Sequence, residues 1–432
     1  FNPHSRAFLP RAFSLTHVNL THRNWTAVGR PDCAALPLSD ERGLITPQHD
    51  GWSVDAWVWG DNGERLYPSR LPAADTQQTL DWVDSALTLT TDSTTESLAL
   101  TAEAWLERDA RGAVLCMRYQ ARADQGGRLV VALRPYNPEG IRFIEALQAG
   151  FDEAGDWGWW VEPDARGDPA ARVVFDQPPS AYYHANYASG DVAAMLDGPS
   201  ESLRVSQRCD TGLITAAAVF DLPAGQTQTR QWRLSLPTEA VKPEAQDWAD
   251  ALAGSARLVV PDASYQSLYD TAVQTLLLHS VEDIYPGPYT YRRFWFRDAA
   301  FIIHGLLNAG FINRSAEALA RFPARQVRAS GYFHSQDGEW DSNGQVLWIV
   351  ARFYALTGEF PAPCSAAQWR RVLRRGARWI ARKRLDNQSS EPHAGLLPAG
   401  FSAEHLGPND YYYWDDDWSV AGLRAASAVL YD

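Results

Sequence analysis

The stretch YTYRRFWFRDAAFIIHGLLNAGF, residues 289–311, holds the key to the second half of the chain. Its later part repeats apolar residues at helical spacing and runs into Gly310, a residue suited to the left-handed position just past a helix end. Its earlier part sets Arg297 and Asp298, two full charges, directly behind Phe294, Trp295 and Phe296. Charges in an apolar setting are costly unless they are bonded to partners. A charge pair at the mouth of an apolar helix therefore predicts a cleft there, and the segment predicts a helix over 298–309.

The same period continues on both sides. Tyr265, Leu268, Tyr269, Ala272, Val273, Leu276 and Leu277 line one face of a helix expected from residue 263. Another is expected around 314–329, interrupted by Pro323, and another over 342–358, where Val346, Ile349, Val350, Phe353 and Tyr354 precede a glycine. A further helix over 365–384 starts at the N-cap-like Ser365 and buries Trp369, Val372, Leu373 and Ile380. The last runs from about residue 417. No strand pattern intervenes, and two of the connections, 331–341 and 385–416, are long enough to expect function in them.

Upstream of about residue 240 the texture is different. Runs such as DSALTLTTDSTTESLALTAEAWL (84–106), AVLCMRYQARA (113–123), GGRLVVALRPYNPEG (126–140), SLRVSQRCDTGLITAAAVFDL (202–222) and QTRQWRLSLP (228–237) alternate apolar with polar residues or end in turn formers. They predict stacked antiparallel sheets. A chain of 432 residues also exceeds what one core supports, roughly 250 to 300. The expected organisation is a β-sandwich over 1–240, a linker over 241–262 and a helical domain over 263–432.

Composition narrows the partners. No apolar run reaches the ~20 residues of a membrane span, and a net charge of −13 repels nucleic acid and anionic membrane alike. The 18 Trp, 17 Tyr and 16 Phe exceed what core filling normally uses; sheet and helix cores account for most of them, flat rings can also stack on sugar faces, and the charge favours a neutral ligand. Cys33, Cys116, Cys209 and Cys364 are scattered without a CxxC pair and read as buried thiols. His304, His334, His393 and His405 have no metal-ligand spacing and read as packed or loop residues, and no cofactor is expected. Sequons occur at Asn19, Asn24, Asn313 and Asn387, and the compartment stays open, with the cytoplasm slightly favoured.

Three acidic-aromatic clusters stand at expected helix starts. They are Trp295-Phe296-Arg297-Asp298, then Glu339-Trp340-Asp341 with Asn343 and Gln345, then Tyr411-Tyr412-Tyr413-Trp414-Asp415-Asp416-Asp417-Trp418. An Asp at a helix start can simply cap it, but caps do not need Trp and Tyr beside them. Carboxylates among rings suit glycosidic cleavage. A protonated carboxyl donates to the leaving oxygen, a second carboxylate activates water or attacks, and Asp and Arg grip hydroxyls.

The same residues carry a family resemblance. YTYRRFWFRDAAFIIHGLLNAGF (289–311) resembles the W-x-RD segment of glucoamylases and of the glucosidase part of glycogen-debranching enzymes. GEWDSNGQVLWIVARFYALTGE (338–359) is similar to the segment those enzymes carry next. GLLPAGFSAEHLGPNDYYYWDDDWSVAGL (395–423) is similar to the loop in which related six-hairpin glycosidases place Trp followed by the catalytic acid. The β-rich part matches the N-terminal β-sandwich of bacterial glucoamylase-like enzymes in architecture.

This resemblance implies a β-sandwich followed by an (α/α)6 toroid, incomplete here because the family has twelve helices and six or seven are expected in this chain. It implies a glycoside hydrolase that cleaves α-glucosidic bonds, with inversion. Asp415 would be the general acid, with Asp416 and Asp417 as alternatives, since three consecutive carboxylates could equally cap a helix or hold Ca²⁺. Trp295, Arg297, Asp298, Glu339, Trp340, Asp341, Tyr413, Trp414 and Trp418 would contact substrate. The general base is expected beyond residue 432, and a homo-oligomer or a complementing chain would complete the ring of helices. The competing readings are a phosphorylase of similar build and a non-catalytic carbohydrate-binding partner protein.

Overall fold

The computed structural model of the protein describes residues 25–83, 86–163, 170–199, 204–237, 241–242, 244–289, 291–401 and 409–431; Asn19, Asn24 and His405 lie outside them. The chain divides into two compact units, Phe1–Ala251 and Leu252–Asp432.

Antiparallel strands build the first unit. One sheet runs in the order Trp25–Ala27, Leu38–Asp40, Ile45–Thr46, Ser53–Gly60, Gly127–Arg134, Thr215–Leu222 and Ala181–Ala185, with Arg65–Leu66 paired to Ser53–Gly60. The other holds nine strands in the order Val205–Arg208, Ala146–Phe151, Trp157–Val161, Ala171–Phe175, Thr227–Ser235, Gly112–Ala123, Leu98–Asp109, Ala86–Thr94 and Thr76–Val83. Val54, Val58, Leu129, Val131 and Phe220 of the first sheet share one core with Leu115, Tyr119, Trp159 and Trp232 of the second. Burying each such side chain stabilises by roughly 1.5–3 kcal/mol. Alternation then sends Trp57, Trp59, Val130, Ala132, Ala217 and Val219 to the outer face of the first sheet, where they pack with Val192 and Leu196 in a smaller cluster. This explains why the strand Ser53–Gly60 is buried along its whole length.

A single helical turn, α1 (Trp248–Leu252), falls where the units divide. The second unit is helical: α2 (Ala263–Leu278), α3 (Phe296–Asn308), α4 (Ile312–Ala320), α5 (Ser342–Thr357), α6 (Ala366–Lys383) and α7 (Tyr413–Tyr431). Local chemistry sets several of the ends. Asp262 accepts from the Ser264 and Tyr265 amides to start α2, and Ser365 accepts from Gln368 to start α6. Gly358 closes α5 with a φ of 76°. Pro323 follows α4 inside a short 3-10 turn, Phe322–Arg325. The core joins Phe296, Ile303, Phe322, Phe333, Val346, Ile349, Trp369 and Leu373.

Helices α5 and α7 pack at backbone contact. A Cβ on Gly344 would lie 2.2 Å from the Trp418 carbonyl oxygen, and one on Gly422 would lie 2.2 Å from the Gly344 carbonyl oxygen. A glycine inside a helix costs ~1 kcal/mol against alanine, so both positions are kept for this approach.

Three expectations need correction. Helix α7 begins at Tyr413 rather than about 417, because the Asp416 carboxylate favours its first turn, where backbone N–H groups present partial positive charge. Helix α2 does not bury the whole expected stripe: Val273 and Leu277 are buried, but Tyr265 and Leu268 are 67% and 65% exposed. The helix meets α3 through its C-terminal half, where Leu276 lies against Gly305. Of the four thiols, all free, Cys33 and Cys116 are buried whereas Cys209 and Cys364 are half-buried. No helix among the described residues is long and apolar enough to cross a membrane.

Candidate active site

The residues before α3 explain how charge and rings share one short segment. Trp295 is extended, with φ −129° and ψ 141°, so its neighbours alternate sides. Phe294 and Phe296 turn inward, where Phe296 meets Phe322 edge to face at 5.1 Å and Phe333 at 5.3 Å. Trp295 and Arg297 stay partly exposed. The Arg293 guanidinium lies 4.5 Å over the Trp295 ring, whose N–H donates to Gln336 Oε1 at 3.4 Å.

Three segments far apart in sequence meet at Asp341. Its Oδ2 accepts from Arg297 Nε at 2.9 Å, Gln345 Nε2 at 3.0 Å and Trp414 Nε1 at 2.7 Å. Arg297 also reaches within 3.9 Å of Glu339 Oε1 and lies 5.7 Å over the Trp414 ring. Asp341 occupies the N-cap position of α5, yet its side chain makes no capping bond and its backbone is already helical. The capping explanation therefore fails for this residue. The connection leading to it is pinned from within: Tyr332 Oη donates to the Glu339 carbonyl at 2.7 Å, and Asn343 bonds Phe333, Gly331 and Gly376.

Asp415 sits in the first turn of α7, 5% exposed. Burial first, then the negative charge of Asp341, pushes its carboxyl up to about 8, against the opposing pull of Arg297. The two following carboxylates differ. Asp416 accepts from the Leu397 amide at 3.0 Å and is raised by burial, while Asp417 is exposed. The charges of Asp341, Arg297 and Glu339 act on the Asp415 carboxyl, whereas that of Asp416 is set by burial, the Leu397 amide and Arg384.

The remaining candidates fall in several places. Trp414 is 44% exposed and Tyr413 more so. Asp298 lies half-buried in the first turn of α3, beside Arg297 in sequence. Trp418 packs edge to face among Trp348, Phe301 and Trp414. Trp340 packs beside Tyr332 and Trp379 with Lys383 Nζ 3.8 Å over its ring. Two features escape a sequence reading: the Tyr332 hydroxyl that holds the Glu339 backbone, and the Gly344–Gly422 approach that seats α7 against α5. Unpunctuated glycines inside two helical patterns were the available signal for the second.

The arrangement combines a carboxyl that keeps its proton at neutral pH with a carboxylate held by three donors, a planar guanidinium and half-exposed indole rings. Such a set can donate a proton and bond a polyhydroxylated ligand. Among the described residues no group of three His, Cys, Asp or Glu is arranged to hold a metal ion. His334 pairs with Asp337, His304 packs on Trp348, and His393 stacks on Tyr411.

No family model and no curated protein matches the sequence. The fold, by contrast, is similar to that of solved structures. A bacterial glucoamylase complexed with acarbose superposes over 94% of this chain with a TM-score of 0.65 at 12% identity. A kojibiose phosphorylase from the human microbiome and an α-mannosidase from Bacteroides thetaiotaomicron follow at 8% and 9% identity, each over 94% of this chain, with TM-scores of 0.46 and 0.37. The chain covers 64%, 59% and 71% of those three proteins, respectively. Antiparallel sheets come first and helices after, and in this architecture the chain shares the fold of a bacterial glucoamylase, the family its three helix-start motifs resemble.

Proposed function

We propose that the protein is a glycoside hydrolase that cleaves α-glucosidic bonds in an oligo- or polysaccharide, with inversion at the anomeric carbon. The observation that carries the reading is Asp415, buried beside Asp341 with its carboxyl pushed up to about 8. It keeps a proton at neutral pH and gives it to the leaving glycosidic oxygen. Arg297, Asp298, Glu339 and Asp341 hold hydroxyls of the sugar in the cleaved subsite, and Trp295, Tyr413 and Trp414 supply ring faces. Inversion requires a carboxylate that activates water on the opposite face, with the two carboxyls roughly 6.5–9.5 Å apart. The acarbose bound by the glucoamylase of the same fold supports a site for a glucose-like ring.

Incubation with maltose, isomaltose, trehalose and maltooligosaccharides, with and without phosphate, tests the reading. Release of glucose as the inverted anomer is the expected result. Glucose 1-phosphate formed only with phosphate would replace hydrolysis by phosphorolysis. Binding without any turnover would make the chain a carbohydrate-binding protein.

A further inference from the structure

The first unit contains a cavity of about 620 Å³ that the hydrolase reading does not use. Its floor follows from strand alternation. Asp55 pairs with Ala132 and Ala132 with Ala217, so Asp55, Trp57, Arg134 and Thr215 share the outer face of the first sheet. Its walls include Tyr67, Tyr136, Tyr187 and Asp191.

Each charge in this lining is answered by a neighbour. Arg134, nearly fully buried, forms a two-pronged pair with Asp191, donates from Nε to Tyr136 Oη at 3.2 Å, and lies 5.3 Å over the Trp57 ring. Asp55 accepts from Trp57 Nε1 at 2.7 Å and from the Ala56 amide at 2.8 Å. Arg70 rests 4.4 Å over the Tyr67 ring. Two arginines thus face two aspartates, which suits a neutral ligand better than an ion. Arg134 is buried in the pair while the Asp191 side chain is 44% exposed, so the carboxylate end of the pair is open to a ligand. The volume lies within the roughly 300–1,000 Å³ typical of small-molecule sites and suits a di- or trisaccharide.

We propose that this cavity is a second, non-catalytic carbohydrate site for a neutral oligosaccharide, which stacks on Tyr67, Tyr136 and Tyr187 and bonds Arg134, Asp191 and Asp55. The assignment stands on the cavity itself and does not require the helical unit to be a hydrolase.

The test is calorimetric titration of the full chain carrying Asp415→Asn with maltotriose, isomaltotriose and cellotriose, alone and combined with Ala194→Trp or Tyr187→Ala. Ala194 is an exposed lining residue, so an indole there fills the cavity without entering the core. Tyr187 is 36% exposed, and its truncation gives an independent reading if the tryptophan variant misfolds. Ala194→Trp is expected to remove one binding event, and Tyr187→Ala to weaken it at least tenfold. A chain that binds one trisaccharide, lost in Ala194→Trp, would support this site while the helical site fails. Binding unchanged by both substitutions, or no binding of any of the three sugars, would overturn the inference.

Discussion

Replacing Asp415 with Asn tests the proton that the proposed mechanism depends on. The carboxyl is pushed from an ordinary value of 3.8 up to about 8 in the folded protein. A raised folded value means that the native state keeps a proton the unfolded chain has already lost. The stabilising contribution is therefore complete below about pH 4 and is lost progressively as pH rises to about 8. Each unit of pH within that window costs at most about 1.4 kcal/mol, so from pH 5 to pH 7 the parent loses up to about 2.7 kcal/mol through this group. Asparagine has the same shape and does not titrate, so the variant lacks this loss. Relative to the parent, the melting temperature of Asp415→Asn should gain about 5–10 °C between pH 5 and pH 7, at ~2–4 °C per kcal/mol for a unit of this size. The assay is thermal unfolding of both chains across pH 4 to 9, followed by circular dichroism. Parallel pH profiles would refute the buried, proton-retaining carboxyl. Turnover should fall about 10²- to 10⁴-fold in the variant, and the parent should lose activity as pH rises past about 8.

The neighbouring contacts make separate predictions. Arg297→Lys removes the Nε bond to Asp341 and the planar contact over Trp414; kcat/KM on maltooligosaccharides should drop about ten- to hundredfold, and an unchanged value would show that the guanidinium geometry is irrelevant. Trp414→Phe keeps a ring but deletes the 2.7 Å bond to Asp341, for which steady-state kinetics should register roughly a tenfold loss in kcat/KM with an intact fold. Gly344→Ala forces α5 from the α7 backbone and should lower stability in urea by about 1–3 kcal/mol or more; an unchanged midpoint would mean that the helices are not held at backbone contact. Gly422→Ala acts on the same contact, so the double variant should lose less than the sum of the two.

The strand runs were legible because alternation repeats every two residues, and the helix runs because apolar residues recur at three and four. Caps at Asp262 and Ser365 and the stop at Gly358 followed from side-chain chemistry acting within one turn. The start of α7 was misplaced because Tyr413 and Trp414 carry no cap signal, and the buried stripe of α2 was overdrawn because periodicity names a face without saying what covers it.

What the sequence by itself determined, then, is local: sheets before helices, and acidic-aromatic clusters at the starts of three helices. The tertiary structure alone decided that Arg297, Asp341 and Trp414 share one oxygen, and that the charges of Asp341 and Arg297 act on the Asp415 carboxyl. It also decided that Asp55, Trp57 and Arg134 line a cavity on a sheet face that alternation could define but not furnish. The physical reason is range. Propensity, capping and periodicity act within a few residues, whereas burial and charge coupling depend on groups such as Arg297 and Trp414, which only chain packing brings together.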